Sequence, residues 1–417
     1  MTPFGKMCGI FHDKNSKTVT MKNNKLLTVV IGSLAAMSVH ASGFGLYEMS
    51  AKSHALGGAV VGRAADASAV FYNPATLADL DKVTVTAGFV TQHPRGRMKV
   101  EGGGVSTPMD AGAFVLPHFN IAVPLPWDLV LGLGCAPEYG LGSEYDRNWE
   151  LVNSSQSTTV QSLTLAPTLA WGVTKDLAIG FGLRFIWFDF EQYSEPVPGR
   201  LYHRLKGDNG MADLGWQAGI RYRILDNLSA GLVYKSQAQV NVEGKSAMEG
   251  LYDSWQHAKT DLMMPDSLTL GLNWDITKTW HLGTAVTWTQ WSTIGTLDFN
   301  LGGSHVPCEL DWDDTWRLSI APSWDFADDW TWLFSYAYET DSTGEQKSTM
   351  LPAADRHMIT TGVSWKCLEN LEVTLGYGMI IMGGRKSHAA DATGSLRDYI
   401  AHRGVSHAVG LSLTYTF

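Results

Sequence analysis

The side chains best suited to covalent or metal chemistry are 13 histidines and four cysteines, and their arrangement supports neither. His388, His402 and His407 stand without a nucleophile motif beside them, no Gly-x-Ser-x-Gly elbow occurs, and no spacing suits a metal ion. Cys135, Cys308 and Cys367 fall in no catalytic or metal pattern and read as packing residues. No catalytic residue, metal or cofactor is therefore expected. What remains is cationic. Arg184, Arg221, Lys235 and Arg317 sit on the face of their segments opposite the apolar residues, with Lys52 and Arg63 upstream. A carboxylate taken out of water needs a cation, so Arg184, Lys235 and Arg317 are candidate partners for the acid group of a ligand. A network among the chain's own charges accounts for them as well.

The chain that must position these groups has 417 residues, 45% apolar, 11% aromatic and only 17% charged. So much apolar and aromatic surface excludes disorder. The net charge of −10 argues against a nucleic-acid partner. Repeated apolar runs of about 20 residues, which a helical membrane bundle needs, do not occur. The single long run, Leu26–Val39, follows the basic segment Met21–Lys25 and precedes Val39-His40-Ala41. That is the layout of a secretory signal. Residues 1–41 are expected to be removed, and Met21 is the expected true start.

Beyond it, apolar and polar residues alternate with a period of two, the mark of a strand between two different environments. Leu177, Ile179, Phe181, Leu183, Phe185 and Trp187 share one face, and Val405 to Phe417 repeats the rhythm. Fourteen such segments lie near 83–91, 114–123, 129–136, 159–171, 177–188, 211–222, 228–241, 267–275, 280–293, 315–324, 330–338, 357–366, 371–380 and 405–417. Short turns such as Thr174-Lys175-Asp176 and Ala327-Asp328-Asp329 alternate strictly with long polar stretches such as 137–158 and 191–209. A soluble β-protein has no reason for this asymmetry. A barrel in an outer membrane does, with short periplasmic turns and long external loops. In lipid an all-strand protein spans only as a closed barrel. The fold class expected is therefore all-β, a 14-stranded antiparallel transmembrane β-barrel in a Gram-negative outer membrane, over residues 81–417. Gly180, Gly182, Gly271, Gly283 and Gly376 face inward, while Trp280, Trp324, Trp330 and Trp365 fall at strand ends where an aromatic girdle sits. Residues 42–80, rich in Ala, Gly and Ser, show no alternation and are expected to form an N-terminal hatch plugging a wide lumen.

Two stretches carry a family likeness. Ser42-Gly43-Phe44-Gly45-Leu46-Tyr47-Glu48, followed by Asp66-Ala67-Ser68-Ala69-Val70-Phe71-Tyr72-Asn73-Pro74-Ala75, resembles the hatch of the long-chain fatty acid outer-membrane transporter family (FadL-type). Pro167–Trp171 with Ile179–Leu183, Gly231–Ser236, Trp288–Ser292 and the terminal strand resemble its later strands. The resemblance covers nearly the whole mature chain. It implies passive uptake of hydrophobic molecules, fatty acids in some members and aromatic hydrocarbons in others. It also implies that Phe44 reaches the ligand and that Asn73, Pro74 and Ala75 hold the hatch fold.

Exit in the family is sideways, through a kink in the third strand. Here that strand is Leu129–Ala136, with Gly132 and Gly134 inside it, Pro137 at its end and Pro117 in its neighbour. Glycine weakens a strand and proline removes a ladder donor, so a break is expected there, though an ordinary bulge fits the same residues. Partners expected are a long-chain fatty acid or other hydrophobic small molecule and the lipid of the outer membrane. The barrel is expected to be monomeric, since closure leaves no free edge. A general porin for polar solutes, or an outer-membrane lipase or protease, stand as alternatives.

Overall fold

A computed structural model describes residues 43–102, 106–152, 155–197, 201–249, 252–301, 304–310, 312–343, 354–390 and 396–417. The expected signal segment lies outside them. Fourteen strands form a closed antiparallel barrel. They are β1 Thr84–Val100, β2 Phe114–Leu125, β3 Leu129–Ala136, β4 Ser157–Gly172, β5 Leu177–Val197, β6 Asp213–Leu225 and β7 Leu228–Lys235. The second half comprises β8 Ser267–Asp275, β9 Trp280–Thr289, β10 Thr315–Ala327, β11 Trp330–Glu339, β12 Arg356–Leu368, β13 Leu371–Met382 and β14 Leu396–Thr416. Closure is made by β1, which pairs Thr84 with Ala122 of β2 on one side and with Thr416 of β14 on the other.

The alternation expected from sequence becomes two environments. On β5, Ile179 and Phe181 point outward, while Ala178, Arg184 and Ile186 are buried inside. At the short-turn end Trp280 stacks on Trp324 at 5.4 Å and Trp330 on Trp365 at 5.2 Å, each ring on the outer surface. These pairs make the girdle that anchors a barrel at a membrane interface.

Three segments differ from the sequence reading. The stretch 228–241 is not one strand: β7 stops at Lys235, Ser236 donates its N–H to Trp216, and Ala238–Glu249 departs to pair with Leu201–Asp208 and Tyr252–Met264. The stretch 280–293 ends as a strand at Thr289 and continues as a 3₁₀ turn, Trp291–Thr293. Several long connections expected as polar loops are hairpins that carry the sheet above the membrane, as where Val197 of β5 turns back to Leu201. Above the lipid both faces of a strand can be polar, so period-two patterning no longer marks it.

The hatch lies in the lumen as two short helices, α1 Ala51–Ala55 and α2 Ala69–Tyr72, and a 3₁₀ turn, Pro74–Asp79. Inward glycines let its backbone touch the wall. A Cβ on Gly231 would overlap the Val61 carbonyl oxygen and lie 2.8 Å from Asn73 Nδ2, and one on Gly283 would overlap the Ala59 carbonyl. Neither contact can be relieved by a side chain moving aside. Gly231→Ala is thus expected to leave barrel assembly intact, judged by heat-modifiable migration, while displacing the hatch. Single-channel recordings should then show a leak where the parent is nearly silent.

Candidate functional site

The described chain opens with Gly43 and Phe44, and these first residues are seated deep. Phe44 is 2% exposed, its ring 5.1 Å from Trp291, 5.9 Å from Trp312, 6.0 Å from Tyr139 and 6.4 Å from Phe188. Val160, Phe190, Val242, Leu262, Leu297 and Phe299 complete an apolar chamber at the external end of the lumen. Gly43 is required there, because a Cβ would come within 2.7 Å of the Trp291 ring. Arg356 fixes the same residue by donating from Nη2 to the Gly43 carbonyl at 2.6 Å. Only about 20 Å³ of the chamber is left for a water-sized molecule, against the several hundred a small-molecule site encloses. The Phe44 ring is what fills the chamber.

A charged cluster lies beside this chamber, joined to it through Tyr139. Glu138 accepts from Arg184 Nε at 2.9 Å and from Lys235 Nζ at 2.7 Å, and Arg184 also donates to the Tyr139 hydroxyl at 3.1 Å and the Ser236 carbonyl at 3.2 Å. Burial alone would raise the Glu138 pKa, but the two cations hold it down at about 2. One carboxylate between two cations leaves the cluster one positive charge in excess.

The other cations seen in the sequence hold the hatch. Arg221 pairs with Asp79, Lys52 Nζ lies 2.8 Å from Glu372, and Arg63 grips Asp275 with two bonds of 2.8 and 2.6 Å. Arg317 lies over the Tyr47 ring at 4.0 Å and donates to Ser319 Oγ at 2.8 Å; among the described residues it makes no ion pair. Asn73 is fully buried. Its Nδ2 donates to the Val61 and Ile220 carbonyls at 2.7 and 3.1 Å, and its Oδ1 accepts from the Ala75 N–H at 3.0 Å. Pro74 opens the 3₁₀ turn, where no N–H is needed.

The wall is incomplete between β2 and β3. β2 and β3 pair only from Phe119 with Cys135 down to Leu125 with Leu129. Above that level Phe114–His118 have no β3 partner, since the chain leaves the ladder after Ala136 and returns as Gly140–Glu144 against β4. Between them lies an apolar cavity of about 450 Å³ lined by Pro117, Pro137, Leu116 and Leu141, among others. The Phe114 ring closes over Gly142 across the opening. Gly132 and Gly134 lie below it. Both sit in an unbroken ladder, opposite Ala122 and Asn120, and their missing side chains make room for Val70, Phe71 and Leu77 of the hatch. The interruption begins at Pro137.

The hatch N-terminus bridges chamber and opening. Leu46 N–H donates to the Glu138 carbonyl and Gly140 N–H to the Phe44 carbonyl, both at 2.9 Å. The backbone that left the β2 ladder is therefore paired by residues 44–46. Sequence reading missed Glu138 and Tyr139, which lie in a connection without periodicity. It missed Trp312 for the same reason and Trp291 because that residue was counted within the strand 280–293; the charge directly after Pro137 was the one available signal.

Phe44→Ala removes a ring packed on four others, a change that costs about 3–5 kcal/mol in a core. The variant is expected to melt earlier in detergent and to bind an apolar fluorescent probe more tightly, because the chamber no longer has to be emptied. Thermal melts and probe titration measure both.

The sequence profile of the family described as "Outer membrane protein transport protein (OMPP1/FadL/TodX)" matches residues 32–417. Outer membrane protein P1 of Haemophilus influenzae is 24% identical, the match covering 95% of this chain and all of that protein. The long-chain fatty acid transport protein of Escherichia coli strain CFT073 is 22% identical over 97% of this chain and all of its own length. Among solved structures, a Pseudomonas aeruginosa FadL homologue superposes with a TM-score of 0.79 at 19% identity, covering 90% of this chain and all of that one. The Pseudomonas putida toluene transporter TodX gives 0.69 at 17% identity, covering 89% and 99%. Those two likenesses establish the fold, and the profile match across nearly the whole chain establishes that this protein belongs to the OMPP1/FadL/TodX family of outer membrane transport proteins.

Proposed function

We propose that the protein carries long-chain fatty acids passively into the outer membrane, as a monomer. The acid enters the chamber, displaces Phe44, and leaves sideways through the opening between β2 and β3. The observation that carries this reading is the combination of an aromatic and aliphatic chamber with an adjoining cluster, reached through Tyr139, that is one positive charge in excess. A neutral hydrocarbon has no use for that charge. A fatty carboxylate entering a dry site needs it. The names of the Escherichia coli relative and of the toluene transporter mark the two cargo classes between which the cluster discriminates.

Release follows from the same contacts. When Phe44 withdraws, the bonds from Leu46 to Glu138 and from Gly140 to Phe44 break together. The segment 138–140 then loses its partner, and the side opening widens beside an occupied chamber. The chamber and the exit are coupled through two residues of backbone.

Two measurements test this. Lys235→Met leaves Arg184 balanced by Glu138 and removes the excess charge. Its affinity for oleate is expected to fall about tenfold, or 1.4 kcal/mol, while toluene binding is unchanged; equal losses for both would sink the reading. Cysteines placed at Leu116 and Leu141 in a cysteine-free background, joined by a short cross-linker, are expected to stop oleate uptake by cells. Chamber binding in detergent should persist, and undiminished uptake would contradict the lateral route.

A further inference from the structure

The outer face of β1 changes character along its length. Phe89 and Thr91 point outward, and next on that face come His93, Arg95, Arg97 and Lys99. The alternate residues turn inward, where Met98 and Val100 pack on Met109, Tyr145 and Trp149. The four basic positions are therefore committed to the outer surface by a buried cluster behind them. This is an unusual place for positive charge in a chain of net −10.

Their height is set by strand geometry. Eight steps separate Val85 from His93, which at about 3.3 Å per step and a tilt of about 40° gives roughly 20 Å of rise. Arg95 then stands about 25 Å above Val85, at the upper edge of a barrel's apolar band. Arg97 and Lys99 stand just above it.

The lower part of the patch is internally neutralised. Asp110 accepts from Arg95 Nε at 3.0 Å and lies 2.8 Å from His93 Nε2. Arg97 and Lys99 make no ion pair among the described residues, and Glu101 beyond them is already engaged. The same level continues around the barrel as a polar belt. His407 of β14 is the register partner of His93 and bonds the Tyr377 hydroxyl at 2.8 Å, and Tyr336 bonds His357 at 2.8 Å. Tyrosine and histidine carry an apolar body and a polar tip, as an interface requires.

We propose that this strip is a binding surface for a phosphorylated glycolipid of the outer leaflet, lipopolysaccharide, whose phosphates are held by Arg97 and Lys99 while its acyl chains lie along Phe89, Val409 and Leu411. Two cations without a counter-charge among the described residues, directly above an apolar wall, match a molecule with phosphates directly above acyl chains. The forked guanidinium of Arg97 suits a phosphate in two-point contact.

The test uses the whole folded protein in detergent, titrated with bis-phosphorylated lipid A and followed by native mass spectrometry. The variant R97Q/K99Q keeps length and polarity but removes both charges. Its affinity for lipid A is expected to fall about fivefold for each charge removed, while R97K/K99R retains binding. Dephosphorylated lipid A and phosphatidylglycerol should bind the parent weakly. Unchanged lipid A affinity in R97Q/K99Q overturns the proposal. So does equal binding of either control lipid, which would mean apolar contact or general anionic attraction. Heat-modifiable migration shows that the variants are folded, and oleate binding in the lumen should be unaffected.

Discussion

In hydrocarbon a backbone N–H or C=O without a partner costs several kcal/mol, and that constraint organises this molecule. The spanning strands meet it by ladders, such as β1 with β14 from Thr84–Thr416 upward. At the junction of β2 and β3 the ladder ends at Phe119 with Cys135, so Phe114–His118 have no β3 partner. Above that level the exposed groups need another arrangement. Residues 138–140 find theirs in the hatch N-terminus, through Leu46 and Phe44. The plug thus completes the wall beside β2 and β3.

Seating the plug raises the opposite problem, since a filled lumen must bring backbone against backbone. Inward glycines solve it at Gly180, Gly231 and Gly283, where any Cβ would meet hatch main chain. Asn73 then satisfies two carbonyls and an N–H that the crossing leaves exposed. Ion pairs tie the hatch to the wall at or near the lower rim, from Lys52 and Arg63 of the hatch to Glu372 and Asp275 and from Arg221 of β6 to Asp79 of the hatch. The hatch is held firmly along its length, but its first residues are held by apolar packing, Arg356 and two hydrogen bonds.

All fourteen spanning strands were legible in the sequence, because lipid outside and a filled lumen inside force opposite chemistry onto alternate residues. Ile179 and Arg184 could be assigned to opposite faces from that rule alone. It stops at the membrane surface. Leu201–Asp208 and Tyr252–Met264 escaped notice as strands because no lipid-facing side disciplines their pattern. Face-counting identified Arg184 and Lys235 as inward but could not supply Glu138, whose position depends on where the chain turns after Pro137. Gly132 and Gly134 illustrate a different limit. Small size in a strand serves either a break or a close neighbour, and only the packing of Val70 and Leu77 distinguishes the two.

The size of the displaced group sets which cargo can open the site on our reading. Emptying the chamber forfeits the packing of a phenylalanine ring, about 3–5 kcal/mol, and two hydrogen bonds worth about 1 kcal/mol each. Burying acyl carbon returns about 0.8 kcal/mol per methylene, so roughly six to nine methylenes are needed before exchange becomes favourable. A single aromatic ring replaces the Phe44 ring with one of its own size and leaves the broken hydrogen bonds uncompensated. A long acyl chain passes the threshold, and its carboxylate gains the unbalanced charge of Arg184, Glu138 and Lys235 in addition. On the proposed route, self-occupation by Phe44 would act as a length filter, setting a minimum hydrophobic reach for any cargo that is to loosen residues 138–140 and gain the side opening.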